Sequence, residues 1–146
     1  MTATQGREGD KGPKAADTWD PAQYDKFRRE REQPFLDLLA LVQPRPAMRV
    51  VDLGCGTGAL TRTLHERLGA RETVGIERSE NMLAGGRDSA QPPGLRFEAG
   101  TIESFVTAAP LTQWDLVFSN AALQWADDHE RLIERLAATL APGGQL

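Results

Sequence analysis

Val50-Val51-Asp52-Leu53-Gly54-Cys55-Gly56-Thr57-Gly58 joins an apolar strand to a tight glycine turn with an acid at its lip. The strand reads as Arg49 to Leu53 and is rich in β-branched residues that suit a sheet buried on both faces. Glycines at 54, 56 and 58 allow positive φ and let the backbone approach a ligand more closely than any Cβ would permit. A helix follows over about Ala59 to Leu68, its first free N–H groups pointing back at the turn. Such a strand, turn and helix make a nucleotide-like site. Dinucleotide folds use G-x-G-x-x-G with a pyrophosphate on the helix start, whereas the spacing here is G-x-G-x-G. Asp52 would repel a pyrophosphate but tolerate an ammonium or a sulfonium. The same turn could also serve only as a close packing contact.

Further along lies Thr73-Val74-Gly75-Ile76-Glu77, a second short strand ending in a carboxylate. Glu77 stands where the ribose-binding acid of a βαβ unit belongs, and could accept from two vicinal hydroxyls. Its alternative role is to cap the next helix, for which Ser79 is equally suited. Asn81-Met82-Leu83-Ala84 begins that helix, with apolar residues that could lie against a purine face. Strands are expected at Leu95 to Glu98 and Asp115 to Ser119. A helix from about Asp128 to Leu140 should pack Leu132, Ile133, Leu136 and Leu140 on one side. Before the first strand, Asp20-Pro21 opens a helix to about Arg31 that Pro34 interrupts; an amphipathic segment, Phe35 to Val42, then meets the linker Pro44-Arg45-Pro46. Residues 1–18 read as a disordered tail, 19–46 as a helical lid segment and 47–146 as one α/β domain.

Alternating strands and helices imply a mostly parallel sheet with right-handed crossovers, layered between helices as a three-layer α/β/α sandwich. Ligands in such sheets sit at the carboxyl ends of strands. The glycine turn, Glu77, Gly100-Thr101-Ile102 and Asn120-Ala121-Ala122 each follow a strand, so four segments converge on one crevice.

Composition narrows the function. With 146 residues, 40% hydrophobic and 26% charged, the chain can bury one core. A net charge of -4 and a pI of 5.2 argue against a nucleic-acid surface. The one cysteine excludes an internal disulfide framework; Cys55 suits a small buried side chain better than a nucleophile. Neither a signal peptide nor an apolar run of membrane length is present, which makes the cytoplasm the expected location, and a monomer or weak dimer the expected state.

Three runs carry a resemblance. Asp52-Leu53-Gly54-Cys55-Gly56-Thr57-Gly58, Gly75-Ile76-Glu77-Arg78-Ser79-Glu80-Asn81-Met82-Leu83 and Ser119-Asn120-Ala121-Ala122-Leu123-Gln124-Trp125 resemble successive motifs of the class I S-adenosylmethionine-dependent methyltransferases. More narrowly, Trp19-Asp20-Pro21-x-x-Tyr24, Arg31-x-x-Pro34, the Asn120 to Trp125 run and Asp128-His129 are similar to the trans-aconitate 2-methyltransferases. The resemblance implies a Rossmann-like methyltransferase fold binding S-adenosyl-L-methionine. The backbone of Gly54, Cys55, Gly56, Thr57 and Gly58 would then cradle the methionyl part with Asp52 at its edge, Glu77 would take the ribose hydroxyls, Met82 would pack on adenine, and Thr101 with Ile102 would border its edge; Arg78, Asn120 and Ala121 are further cofactor-binding candidates. The family usually has an acid at the position of Thr101, and a basic residue is common at that of Gln33. By the same resemblance, Pro142-Gly143-Gly144-Gln145-Leu146 is the turn that leads into a fifth strand with two more to follow, so the chain is expected to be a fragment whose sheet halts after the fourth strand.

The implied acceptor is a small-molecule carboxylate such as trans-aconitate, already ionised at neutral pH. Methyl transfer to it is an in-line displacement that needs positioning and exclusion of water, with no catalytic base and no metal. A polycarboxylate does need fixed positive charge. Tyr24, Phe27, Arg28 and Arg31 fall on one helix face where an arginine could pair with it, or with the methionyl carboxylate of the cofactor, or simply face solvent. Gln124 and Trp125 are the remaining substrate candidates, with Trp125 either a pocket wall or core. Asp127-Asp128-His129-Glu130 reads as helix capping and His65 as structural. Asn120-Ala121-Ala122 lacks the Pro-Pro-aromatic run of amino-directed nucleic-acid methyltransferases. A cofactor-binding module without turnover and a nicotinamide dehydrogenase are the competing readings.

Overall fold

The computed structural model describes residues 20, 22–23, 27–87 and 89–146; the expected tail, Trp19 and Tyr24 lie outside them. The chain runs α1 (Arg28–Leu41), β1 (Arg49–Leu53), α2 (Ala59–Leu68), β2 (Glu72–Glu77), α3 (Glu80–Arg87), β3 (Leu95–Ala99), α4 (Ile102–Ala108), β4 (Trp114–Phe118), a 3-10 turn (Leu123–Trp125), α5 (His129–Ala138) and β5 (Leu140–Gln145). The five strands form one sheet in the order β3-β2-β1-β4-β5, every pairing parallel. This is the Rossmann-like methyltransferase architecture expected from the sequence.

Alternation along the strands sorts the core into two layers. Val51, Leu53, Val74, Ile76 and Val117 pack beneath Leu132 and Leu136 of α5, with Ile102 and Phe105 of α4 against them. Val50, Leu116 and Phe118 pack on the other face with Phe35 and Leu39 of α1 and Leu64 of α2. Chain order reverses between β1 and β4, and that switch point opens the crevice at the carboxyl ends of the strands.

Several expectations change. Pro34 lies inside α1 rather than ending a helix. Its missing N–H deprives only the carbonyl of Glu30, an exposed residue at the helix start where water can replace the bond. Burial of Phe35 and Leu39, about 2 kcal/mol apiece, offsets a proline cost of about 3 kcal/mol. Phe35 also meets Phe118 edge to face, with centroids 5.1 Å apart. The sheet does not halt after β4: residues 140–145 form a fifth parallel strand, with an irregularity between Trp114 and Leu116. Leu140 therefore belongs to β5, and Ile133, 42% exposed, leaves the apolar side of α5 to Leu132 and Leu136. Among the described residues no helix is long and apolar enough to cross a membrane.

Candidate functional site

The turn after β1 takes the conformation that its glycines allow, with φ of 78° at Gly54, 58° at Gly56 and 82° at Gly58. It is tied to the next strand, since the Gly54 and Cys55 N–H groups both donate to Ile76 O, at 2.8 and 3.0 Å. Gly54 also admits a neighbour: a Cβ there would lie 2.3 Å from Ala122 Cβ, in the loop after β4. Ala121 beside it has φ of 57°, a left-handed alanine at the cavity wall.

Glu77 joins the end of β2 to this turn. Its Oε2 accepts from Gly56 N–H at 2.9 Å and its Oε1 from Ser79 N–H at 3.0 Å. Ser79 Oγ accepts from Met82 N–H at 3.2 Å, so the serine caps α3 and leaves the carboxylate to the turn.

Asp52 is placed differently from the sequence expectation. It lies under the turn, 4% exposed, and not at its lip. Thr61 Oγ1 donates to its Oδ2 at 2.6 Å. Burial pushes its carboxyl up to about 6, with Glu77 adding to the rise and the Thr61 bond opposing it. Strand alternation is the cause: Asp52 points away from Val51 and Leu53, into the layer under α2. Cys55 is buried against Gly75, and burial, then Asp52 and Glu77, hold its thiol well above the ordinary range, which suits an inert side chain.

A cavity of about 360 Å³ opens over the turn, within the range of small-molecule sites. Gly54, Gly56, Glu77, Arg78, Met82, Thr101, Ile102, Asn120 and Ala121 line it as expected, and Arg31, Gln124 and Trp125 border the same space. Asp52, Cys55, Thr57 and Gly58 do not reach it; they shape the turn from behind. Arg28 is exposed and does not line it. Trp125 is 61% exposed at the mouth, which places it in the wall and not in the core. Gln124 Nε2 donates to Ala121 O at 2.9 Å.

Ile76, Glu103 and Ala126 line the cavity without having been singled out from the sequence. Glu103 bears on Thr101, which caps α4: Thr101 Oγ1 accepts from Ser104 N–H at 3.0 Å, and Ser104 Oγ accepts in turn from Thr101 N–H at 3.0 Å. The threonine hydroxyl is thus engaged by its own helix. Glu103, two residues on, lines the cavity, and its carboxylate has no hydrogen-bond or ion-pair partner among the described residues. Its sequence signal is that of any first-turn acid, which is why it passes unnoticed. Asp128 caps α5, accepting from Arg131 N–H at 3.4 Å, and His65 sits in the α2 layer between Thr73 Oγ1, at 2.8 Å, and Pro93 O, at 3.1 Å.

Known proteins resemble this chain in sequence and in fold. Residues 50–144 match the family described as methyltransferase domain. Curated relatives include trans-aconitate 2-methyltransferases of Variovorax paradoxus (strain S110), 49% identical over 129 residues, and of Deinococcus radiodurans, 46% identical over 129 residues, each match covering 88% of this chain and 48% of the relative. The chain thus spans about half the length of the curated relatives it matches. Among solved structures, an S-adenosylmethionine dependent methyltransferase from Mesorhizobium loti superposes with a TM-score of 0.67 at 34% identity, over 75% of this chain and 48% of that one. The putative methyltransferase in complex with the Haloferax volcanii Trm112 activator gives 0.75 at 25% identity, over 84% and 54%. Since the matched span covers all but the end residues of the sheet and includes the turn on which the cavity opens, the chain belongs to the methyltransferase domain family, whose cofactor is S-adenosylmethionine.

Proposed function

We propose that this chain holds S-adenosylmethionine in the cavity over the glycine turn and belongs to an enzyme that methylates a small-molecule carboxylate, trans-aconitate being the first candidate. One observation carries the reading. A single cavity is bordered by the glycine turn, Glu77 and Met82 on one side and by Arg31, Gln124 and Trp125 on the other, so cofactor and acceptor can meet in it. Trans-aconitate enters through the names of the relatives.

Glu77 is suited to the ribose because each carboxylate oxygen, after accepting one backbone N–H, keeps a lone pair for a hydroxyl. Met82 supplies an apolar surface for adenine, with Ile102 at its edge and Arg78 beside the ribose. With the Thr101 oxygen engaged in capping, Glu103 is the acceptor for the adenine 6-amino group. Asn120 and Ala121 border the methionyl end. Asp52 acts through its charge alone, attracting the sulfonium and ammonium from beneath the turn.

In the transfer, a carboxylate oxygen of the acceptor attacks the methyl carbon in line. The S–CH3 bonding pair goes to sulfur, leaving a methyl ester and S-adenosylhomocysteine, and no proton moves. This chain's part is to fix the two reactants and to offer the Arg31 guanidinium to the acceptor's remaining negative charge.

Calorimetry with S-adenosylhomocysteine tests the cofactor site: binding by the wild type, lost in Gly56→Val and Glu77→Ala, is expected, and absence of heat for the wild type would overturn it. Methyl transfer from labelled S-adenosylmethionine to trans-aconitate and related acids tests the acceptor. Cofactor binding with no transfer to any of them would leave a cofactor-binding module without turnover.

A further inference from the structure

The glycine turn is gripped from three directions. A Cβ at Gly54 would stand 2.3 Å from Ala122 Cβ, and one at Gly86 of α3 would stand 2.3 Å from Thr57 O. The third contact comes from Phe97 on β3, which is opposite Gly75 in the parallel register with β2. Its ring covers two glycines at once: a Cβ at Gly75 would lie 2.6 Å from Phe97 Cδ1, and one at Gly58 would lie 2.5 Å from Phe97 Cζ. Phe97 is half-buried, joins neither core cluster and does not line the cavity. Glycine in a strand interior weakens the strand, yet Gly75 sits in the middle of β2 to make room for this ring. The position of the ring, more than the area it buries, is what the surrounding sequence protects.

We propose that Phe97 is a positioning residue for the cofactor turn. Its leading edge, Cζ, abuts Gly58, the left-handed N-cap of α2. Gly58 N–H donates to Cys55 O at 3.0 Å, so the height of Gly58 sets the curl of the whole turn. It also sets the direction of the first N–H groups of α2, which have no partner within the helix. The segment has no large side chain of its own to hold its place: Gly54, Gly56 and Gly58 contribute none, and Cys55 is turned toward Gly75. The ring of Phe97 supplies from a neighbouring strand what the turn lacks. This proposal rests on the cofactor reading given above.

Three variants test it: Phe97→Ala removes the ring, Phe97→Met refills the space, and Phe97→Tyr keeps the ring but adds an oxygen at Cζ against Gly58. The measurements are S-adenosylhomocysteine affinity by calorimetry, melting temperature, and amide exchange of residues 55–60 in the ligand-free protein. We expect Phe97→Ala to weaken binding about tenfold or more, with faster exchange confined to residues 55–60. Phe97→Tyr should weaken it to a similar extent with its melting temperature kept near wild type, and Phe97→Met should stay within about threefold of wild type. A packing residue would tolerate tyrosine at this half-buried position. Wild-type affinity in both the Ala and Tyr variants overturns the proposal, as does faster exchange spread along β2 and β3. Should wild type bind no S-adenosylhomocysteine, the cofactor reading fails, and exchange alone then decides: unchanged rates at residues 55–60 in Phe97→Ala overturn the positioning role.

Discussion

Replacing Asp52 with asparagine should remove a pH dependence of stability that this one carboxyl imposes. The group is 4% exposed beneath the turn and its pKa is lifted from 3.8 to about 6, chiefly by burial. The folded protein therefore keeps this proton up to about pH 6, whereas the unfolded chain gives it up near 3.8. Between those values the folded state binds more protons, so stability is greatest at low pH and falls as pH rises through the window. At 1.36 kcal/mol per pK unit the whole span is worth about 3 kcal/mol, of which about 2 kcal/mol falls between pH 4.5 and 7.5. Other carboxylates titrate in the same range, so the informative quantity is the stability difference between Asp52→Asn and wild type. The variant should gain about 2 kcal/mol on wild type when the pH is raised from 4.5 to 7.5. An amide N–H left without a partner costs about 1–3 kcal/mol, but it shifts both pH values alike and leaves the change intact. Urea unfolding followed by fluorescence reads it, with Trp114, 5% exposed, in the core as reporter. A stability difference that is the same at both pH values would refute the reasoning.

Gly54→Ala should abolish S-adenosylhomocysteine binding and cost at least about 2 kcal/mol in urea unfolding, because φ is 78° and the new Cβ meets Ala122 Cβ at 2.3 Å. Glu103→Gln should weaken S-adenosylhomocysteine about three- to tenfold by losing a charged acceptor, and weaken S-inosylhomocysteine, which carries an oxygen in place of the amine, less; equal losses on calorimetry would count against the amino-group contact. Arg31→Ala should leave S-adenosylhomocysteine affinity within about threefold while lowering kcat/KM for a tricarboxylate acceptor about a hundredfold in the enzyme that carries this chain; a loss confined to cofactor binding would assign Arg31 to the methionyl carboxylate. Glu77→Gln should disturb the empty turn as well as ribose binding, since its amide nitrogen must face either Gly56 N–H or Ser79 N–H, donor against donor; amide exchange at residues 54–58 unchanged from wild type would contradict this.

The first strand and its helix are legible to the residue because their signals are local: β-branched residues for Arg49–Leu53, then glycines, which take positive φ without the strain another side chain would meet. The cavity was legible from chemistry at four strand ends. What escaped was settled by packing between distant segments. Pro142-Gly143-Gly144 reads as a turn, yet it lies in β5, because Gly144 lets the strand come so close to β4 that a Cβ would meet Trp114 O at 2.9 Å. Pro34 looks like a helix end until Phe35 and Leu39 are seen anchoring the turns that follow it to the sheet. Asp52 stands at the lip of the turn in a linear reading, yet strand alternation points it toward α2. An acid at the position of Glu103 carries no signal beyond dipole complementation, and only the neighbouring capping box, which engages Thr101, makes its carboxylate informative.

The three acids around this turn divide the work that a cationic nucleoside ligand requires. Glu77 is held before any ligand arrives, each oxygen fixed by a backbone N–H from a different segment, so ribose hydroxyls would meet an acceptor that need not be ordered on binding. The same two bonds fasten β2 to the glycine turn, so the residue placed for recognition also maintains the shape of the turn. Asp52, by contrast, does not reach the cavity, and its field would be felt through the glycine turn above it. That field comes at a cost in stability at neutral pH, which the sulfonium and ammonium of the methyl donor would relieve more than the ammonium alone of the thioether product. Glu103 stands free at the far edge and is the one acid whose orientation a ligand could set. On the proposed reading, recognition of shape would fall to Glu77, recognition of charge to Asp52, and the remaining adjustment to an exposed residue on the first turn of α4.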